Sequence, residues 1–479
     1  MKRMLVIGSL VLAGCTASGD RVLRVDRADD QQRAVAVDAT MFDASPVDVT
    51  YLNTSPYEKI GFKAANGSNG SFDLYSFELD DDGTLFQRGQ IDTVCDRIRE
   101  SAKERGAIIV VFVHGWKHNA TPCDGNISCF RTVLRKLADD EQTHGRNRVV
   151  AGVYLGWRGL GWCDEPAKEV TFYGRKAAAE RVGSAEAREI LHNLREVHEQ
   201  LNDPKNKAVN AAAHGIPSRL VIVGHSFGAA LVHAAVLPDM TQDIRSARRK
   251  AEQLGTKQLE RIDGYGDLVV IVNPAFEAQR FDVLSREMMS LRANGYSFAS
   301  DQKPVYVVVS SVGDKPTHYA FPTGQSLGLL LQPLKIIHGP AYWLRYVTTV
   351  GHYGPYRTHE AQQITPIEGG MARRVKDQSC FPDREQTLPS SYPTCSCDQA
   401  TFGAMTRAIA VASTHLATAG NDVYGNVRLI EYKKAQDAHL PFWVIKAQTN
   451  VVASHNDIFN PTFVSMLYGM VTKVADQRY

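Results

Sequence analysis

Apolar positions along the chain gather into short unbroken runs separated by longer mixed stretches. Runs of strand length recur at Leu74–Leu79, Ile108–Val113, Val149–Leu155, Leu220–Val223, Leu268–Val272, Val305–Val309 and Phe442–Ile445. Several are continuous series of β-branched residues rather than alternations, as a strand requires when both of its faces are covered. Helical spacing appears between them. The clearest case runs from Glu169 to Leu201, where Ala187, Ile190, Leu191, Leu194, Val197 and Leu201 make one apolar stripe that ends before Asn202-Asp203-Pro204. Strands alternating with helices predict an α/β fold built on a doubly wound, mostly parallel sheet.

The rhythm divides the chain. Residues 1–14 read as an apolar leader, 15–60 as a polar tether, 61–318 as the α/β core, and 319–435 as an inserted cap rich in Gly, Pro and aromatic residues. Residues 436–479 return to the core with a last strand, a loop and a C-terminal helix. The chain has 479 residues, 44% hydrophobic and 22% charged, which suits a folded protein with a large core. Its 54 Lys and Arg nearly balance 52 Asp and Glu, for a net charge of +2. That leaves no overall field to draw a phosphate backbone, so nucleic acid is not expected as a partner.

Met1-Lys2-Arg3 and the apolar run from Met4 to Gly14 have the form of a signal peptide, at about half the ~20 residues a membrane span needs. The run ends Val11-Leu12-Ala13-Gly14-Cys15, which resembles the lipobox of bacterial lipoproteins. That resemblance implies cleavage before Cys15, lipidation of its thiol and a place in the bacterial cell envelope. Thr16 stands where an Asp would favour the inner membrane, so the resemblance implies the outer one. Acyl chains hold a protein to a bilayer by ~0.8 kcal/mol per buried CH₂. An exported chain also admits disulfides. Besides Cys15 there are cysteines at 95, 123, 129, 163, 380, 395 and 397, an odd number. Cys123 and Cys129 could close a small loop, but spacing leaves the pairing open.

The chemistry concentrates where the strand Leu220–Val223 runs into Gly224-His225-Ser226-Phe227-Gly228 and a small-residue helix start. A G-x-S-x-G turn between strand and helix projects a serine hydroxyl clear of a sheet, with glycines where the two backbones approach. Such a hydroxyl needs a base to take its proton and donors to receive the oxyanion. Ile108–Val113 runs into His114-Gly115-Trp116, so the backbone N–H groups of Trp116 and Phe227 are the expected oxyanion donors. Asp314, just past Val305–Val309, is the expected acid, with Asp267 and Glu277 in reserve. His455, in the loop after Phe442–Ile445, is the expected base; His352, His359 and His439 lack that strand-then-loop placement.

Other candidates carry less. His114 and His118 are four apart, but Gly115 and the strand end argue against a helix that would align them as metal ligands. Cys395 and Cys397 lack a second ligand pair. Gly156–Gly161 departs from the dinucleotide G-x-G-x-x-G order, and no Walker sequence occurs, so no nucleotide site is expected. That segment either shapes a pocket rim or turns the chain.

Together these residues resemble the α/β-hydrolase superfamily, and within it bacterial esterase or lipase-like proteins with a V-H-G-W segment and a G-H-S-F-G turn. The resemblance covers about 70–318 and 436–475. It includes Phe77–Gly83, Tyr154–Gly159, Asp314-Lys315-Pro316-Thr317 and Ser454-His455-Asn456-Asp457. It implies an α/β-hydrolase sheet with an inserted cap and a Ser226–His455–Asp314 triad that cleaves carboxylic esters through an acyl-enzyme. The substrate would be an ester or lipid-like small molecule, with no metal or organic cofactor. The same triad serves peptidases, amidases and phospholipases. The other alternative is a non-catalytic surface lipoprotein that uses the fold as a binding module.

Overall fold

The computed structural model describes residues 55–121, 124–159, 172–203, 205, 216–330, 340–364, 422–432 and 439–475. The leader, Cys15 and most of the 15–60 segment lie outside the described residues, as does the middle of 319–435. The described residues divide between two compact units, the first ending at Leu220 and the second starting at Val221. The stretch 61–318, read as one core, is thus shared by two units. Each unit has a mixed, mostly parallel sheet with helices, making this an α/β protein. Among the described residues no helix is long and apolar enough to cross a membrane.

The first unit contains β1 (Tyr57–Lys63), β2 (Asn69–Glu78), α1 (Gln90–Ala102), β3 (Ala107–Val113), α2 (Gly125–Thr143), β4 (Val149–Gly156), α3 (Phe172–Ser184) and α4 (Glu186–Leu201). Its strands lie in the order β1-β2-β4-β3. β4 runs parallel to both of its neighbours, and β1 is antiparallel to β2. Every residue of β3 and β4 is buried, which is why their sequences are unbroken apolar runs. β1 differs: it alternates, burying Ile60 and Phe62. It lies across the end of the segment read as a tether, because so short a period-two stretch acquires meaning only from its ladder to β2.

The helix expected over Glu169–Leu201 is two helices. The apolar stripe of α4 is buried as its spacing requires. The break falls at Ala185, which leaves helical geometry (φ −111°, ψ −135°). There a distant segment takes over the backbone: Glu186 N–H donates to Gly83 O at 3.2 Å, and the Glu186 carboxylate binds Leu85 N–H and Arg88. Residues 169–171 lie outside the described residues.

Glu141 at the end of α2 is 1% exposed and accepts from Arg146 Nε at 2.7 Å and Arg148 Nη2 at 2.8 Å. Burial pushes its pKa up, but the two guanidinium groups outweigh burial and hold the carboxyl below its ordinary value. Deleting one partner of a buried ion pair strands the other charge. Glu141→Ala is therefore expected to cost about 3 kcal/mol, read from urea unfolding. A loss below about 1 kcal/mol would show that water already screens the pair.

The second unit contains β5 (Arg219–His225) from Val221 on, α5 (Phe227–Gln253), β6 (Leu268–Val272), α6 (Ala278–Ala293), β7 (Tyr306–Ser311), α7 (Phe321–Leu330), α8 (Pro340–Val347), β8 (His359–Gln363), β9 (Val423–Tyr424), β10 (Val427–Glu431), β11 (Phe442–Ala447) and α9 (Pro461–Ala475). The strand order is β5-β6-β7-β11-β8-β10-β9. β5, β6, β7, β11 and β8 pair in parallel in that order, and β10 is antiparallel to β8 and β9.

Three strands, β8, β9 and β10, fall within the stretch read as an inserted cap. They continue the sheet past β11, so this part of 319–435 belongs to the sheet rather than to a separate insertion. The sequence of β8 is polar and buries only Ala361 fully, which hid it as a strand. Its place is fixed by neighbours: Thr358 N–H donates to Val444 O, and Gln448 Nε2 and Tyr432 OH donate to the Glu360 carboxylate.

Candidate active site

β5 ends at His225 and α5 begins at Phe227, so Ser226 alone makes the turn. Its backbone sits at φ 57°, ψ −117°, a conformation that costs a non-glycine residue on the order of 1–3 kcal/mol. The turn is held at both sides. Ser226 N–H donates to Val272 O of β6, and Ala275 N–H donates to Ser226 O, each at 3.1 Å. A Cβ at Gly224 would come within 2.9 Å of Ala229 Cα and Gly228 O, so only glycine lets α5 fold back this tightly. The G-x-S-x-G spacing therefore follows from packing.

Asp314 follows β7 and is fully buried. His455 lies between β11 and α9, with its side chain 16% exposed. These residues converge, all within the second unit. His455 Nε2 lies 2.9 Å from Ser226 Oγ, and His455 Nδ1 lies 2.9 Å from Asp314 Oδ1. Polarity follows from the acid: an ionised carboxylate only accepts, so Nδ1 carries the proton and Nε2 is left to accept from the serine hydroxyl. Burial pushes the Asp314 pKa up. The hydrogen bond and charge of His455, with two donors from Thr317, outweigh burial and keep the acid ionised below the usual carboxylate range.

The loop carrying His455 is pinned from behind. Its carbonyl accepts from His225 Nε2 at 2.8 Å and from Asn273 Nδ2 at 2.9 Å. Asn273 stands just past β6 at φ 44°, and its Oδ1 accepts from Ser311 N–H at 2.9 Å. Ser311 Oγ donates to Val452 O at 2.5 Å. The ends of β5, β6 and β7 thus each supply a side chain or backbone group to one network, which fixes the imidazole relative to the hydroxyl.

Sequence reasoning did not single out Asn273, Ser311, His225 or Thr317 for a role. Two of them carry a faint signal: Asn273 follows its strand as Asp314 follows the next, and His225 occupies a variable place in the turn motif.

Phe227 N–H opens α5 next to Ser226, where the helix dipole favours negative charge. Trp116 follows β3 in the first unit, whereas the three triad residues belong wholly to the second. The reserve acids stand elsewhere. Asp267 precedes β6, and the parallel register pairs His225 with Val272 at the far end of that strand. Glu277 is taken up by Gln325 Nε2 and by Arg280 Nε at 3.1 Å.

His114 is buried and both of its nitrogens are engaged. Nδ1 donates to Gly115 O at 2.9 Å, and Nε2 accepts from Trp157 N–H at 3.1 Å. His118 Nδ1 instead meets Asp124 at 3.0 Å. Among the described residues no group of three or more His, Cys, Asp or Glu could hold a metal ion. In the Gly156–Gly161 segment, Trp157 Nε1 donates to His114 O at 2.8 Å, tying β3 to β4. Cys129 is disulfide-bonded. Cys95 is free and buried, so the partner of Cys129 lies outside the described residues. No protein-family model matches the chain, and no curated protein or solved structure matches it either.

Proposed function

We propose that this chain is a serine hydrolase of carboxylic esters with an α/β-hydrolase fold, carried in the cell envelope by a lipid on Cys15. The observation that carries the reading is the unbroken hydrogen-bonded line Ser226–His455–Asp314, with the serine held in strained geometry at a strand-to-helix turn. His455 Nε2 takes the Ser226 proton as Oγ attacks the ester carbonyl, and Asp314 compensates the imidazolium. Phe227 N–H, which opens α5 next to Ser226, receives the oxyanion. The imidazolium protonates the departing alkoxide and leaves an acyl-enzyme. Water, deprotonated by the same imidazole, then releases the acid and restores Ser226. No step uses a metal or an organic cofactor.

A fluorophosphonate probe is expected to label the wild-type protein and to leave Ser226→Ala unlabelled, read by intact-protein mass. A folded wild-type protein that takes no label would favour the binding-module alternative. A panel of short-chain esters, phospholipids and peptide amides then separates the esterase reading from phospholipase and peptidase activity.

A further inference from the structure

The hydrogen-bonded line does not stop at the acid. Asp314 Oδ2 accepts the hydroxyl proton of Thr317, and Oδ1, already bonded to His455, also accepts Thr317 N–H at 3.1 Å. A hydroxyl has one proton, and here it goes to the carboxylate. Thr317 Oγ1 must therefore accept from His352 Nε2, which lies 3.1 Å away. The His352 ring stacks on the exposed ring of His318, with centroids 4.5 Å apart and planes 7° from parallel.

His352 reaches this place because its segment comes in against β7. A Cβ on Gly351 would fall 1.7 Å from Ser310 Oγ, so only glycine permits the approach. Thr349 Oγ1 donates to Thr317 O at 3.3 Å, while Arg357 Nη2 donates to His352 O at 3.2 Å. The arrangement is directional: every hydrogen between His352 and the acid points towards the carboxylate, as does the one on His455 Nδ1.

We propose that Thr317 and His352 are positioning residues, a relay on the far side of the triad that locks the rotation of the Asp314 carboxylate and so keeps Oδ1 on His455 Nδ1. The proposal rests on the hydrolase reading for its kinetic consequence, but the geometry it invokes does not. A carboxylate without its hydroxyl donor is free to turn off the imidazole, which weakens the support of the imidazolium in the transition state. The charged and titratable groups around His352 are His318, Asp314, Arg357 and His455. Burial, reinforced by His318, pushes the His352 pKa down to about 4, so at neutral pH it is the uncharged donor that the relay needs.

The test compares Thr317→Val, Thr317→Ser, His352→Leu and His352→Gln by two readouts. These are steady-state hydrolysis of a chromogenic short-chain ester and the His455 titration midpoint by NMR. Thr317→Val is expected to lower kcat about 10–100-fold with KM within about twofold. The same variant should move the His455 midpoint down by about half a unit or more. Thr317→Ser, which keeps the hydroxyl, restores both. His352→Gln, which keeps an N–H donor, stays near wild type, while His352→Leu loses activity several-fold. An unmoved or raised midpoint in Thr317→Val, or a Thr317→Ser as impaired as Thr317→Val, overturns the relay. Should the wild type neither cleave the ester nor take the fluorophosphonate label, the hydrolase reading fails. The His455 midpoints of the folded variants then decide the relay by themselves.

Discussion

His455→Ala is expected to lower kcat by about 10⁶-fold, because residues that act as one unit fail together. Nε2 is 2.9 Å from Ser226 Oγ and nothing else in the described triad can take that proton. Without it the hydroxyl attacks as a neutral alcohol, and the residual rate comes from the oxyanion donors and substrate binding alone. Asp314→Asn should be milder, at about 10⁴-fold. An amide turned with its NH₂ towards Nδ1 forces the proton onto Nε2, the atom that must accept. The decisive comparison is the double variant, whose rate should match His455→Ala within a few-fold. Two losses that multiply would mean that the residues act separately, and a His455→Ala loss below tenfold would sink the mechanism. KM should stay nearly constant throughout, since on the proposed mechanism the triad acts on the transition state rather than on ground-state binding.

Acid is expected to destabilise the fold strongly between pH 6.5 and 4. Burial pushes His114, His233, His352 and His359 each down to about 4 from an ordinary value of 6.5. Below pH 6.5 the unfolded chain binds protons that the folded chain refuses until about pH 4. Stability is therefore fully present above 6.5, falls through that window, and levels off below it from this source. His114 and His233 are both at most 2% exposed, and each contributes about 3 kcal/mol, a large share of a typical domain's stability.

His233 shows why it must stay neutral. Its Nδ1 accepts from Tyr306 OH at 2.7 Å while Nε2 donates to Arg280 O at 3.3 Å, so a second ring proton would confront a hydroxyl donor. The depressed carboxylates extend the loss at lower pH. Glu360 is held at about 2, where its hydrogen bonds to Gln362, Gln448 and Tyr432 and the Lys446 charge outweigh burial, so its contribution is lost as pH falls from about 4.5 towards 2. Asp73 and Asp457, raised chiefly by burial, act in the opposite sense. Urea midpoints at pH 7.5, 6.5, 5.5 and 4.5 test the expectation. A flat profile would show that these rings reach water, and His233→Gln should reduce the slope by about one proton.

The α/β class and the strand positions were readable because strands covered on both faces must be apolar along their whole length; β3, β4 and β6 coincide with such runs almost residue for residue. Ser226 was readable for a related reason, since the glycines of its turn answer to a local steric demand. That Asp314 and His455 join Ser226 in one hydrogen-bonded line was readable from a place in the chain order, in the segments that follow β7 and β11. Half-buried elements were not readable. β1 and β8 carry only a short or polar pattern, and the Ala185 break depends on a hydrogen bond to Gly83, some hundred residues earlier in the chain.

What the sequence by itself determined was the period of burial and the identities of the groups able to do chemistry. What only the tertiary structure decided was which polar groups meet: Asn273 and His225 on the His455 carbonyl, and Thr317 and His352 behind Asp314. The physical reason is that hydrophobic burial is non-directional and leaves a local periodic trace in the chain. A hydrogen bond between residues distant in sequence depends on placement within a few tenths of an ångström, which no spacing records.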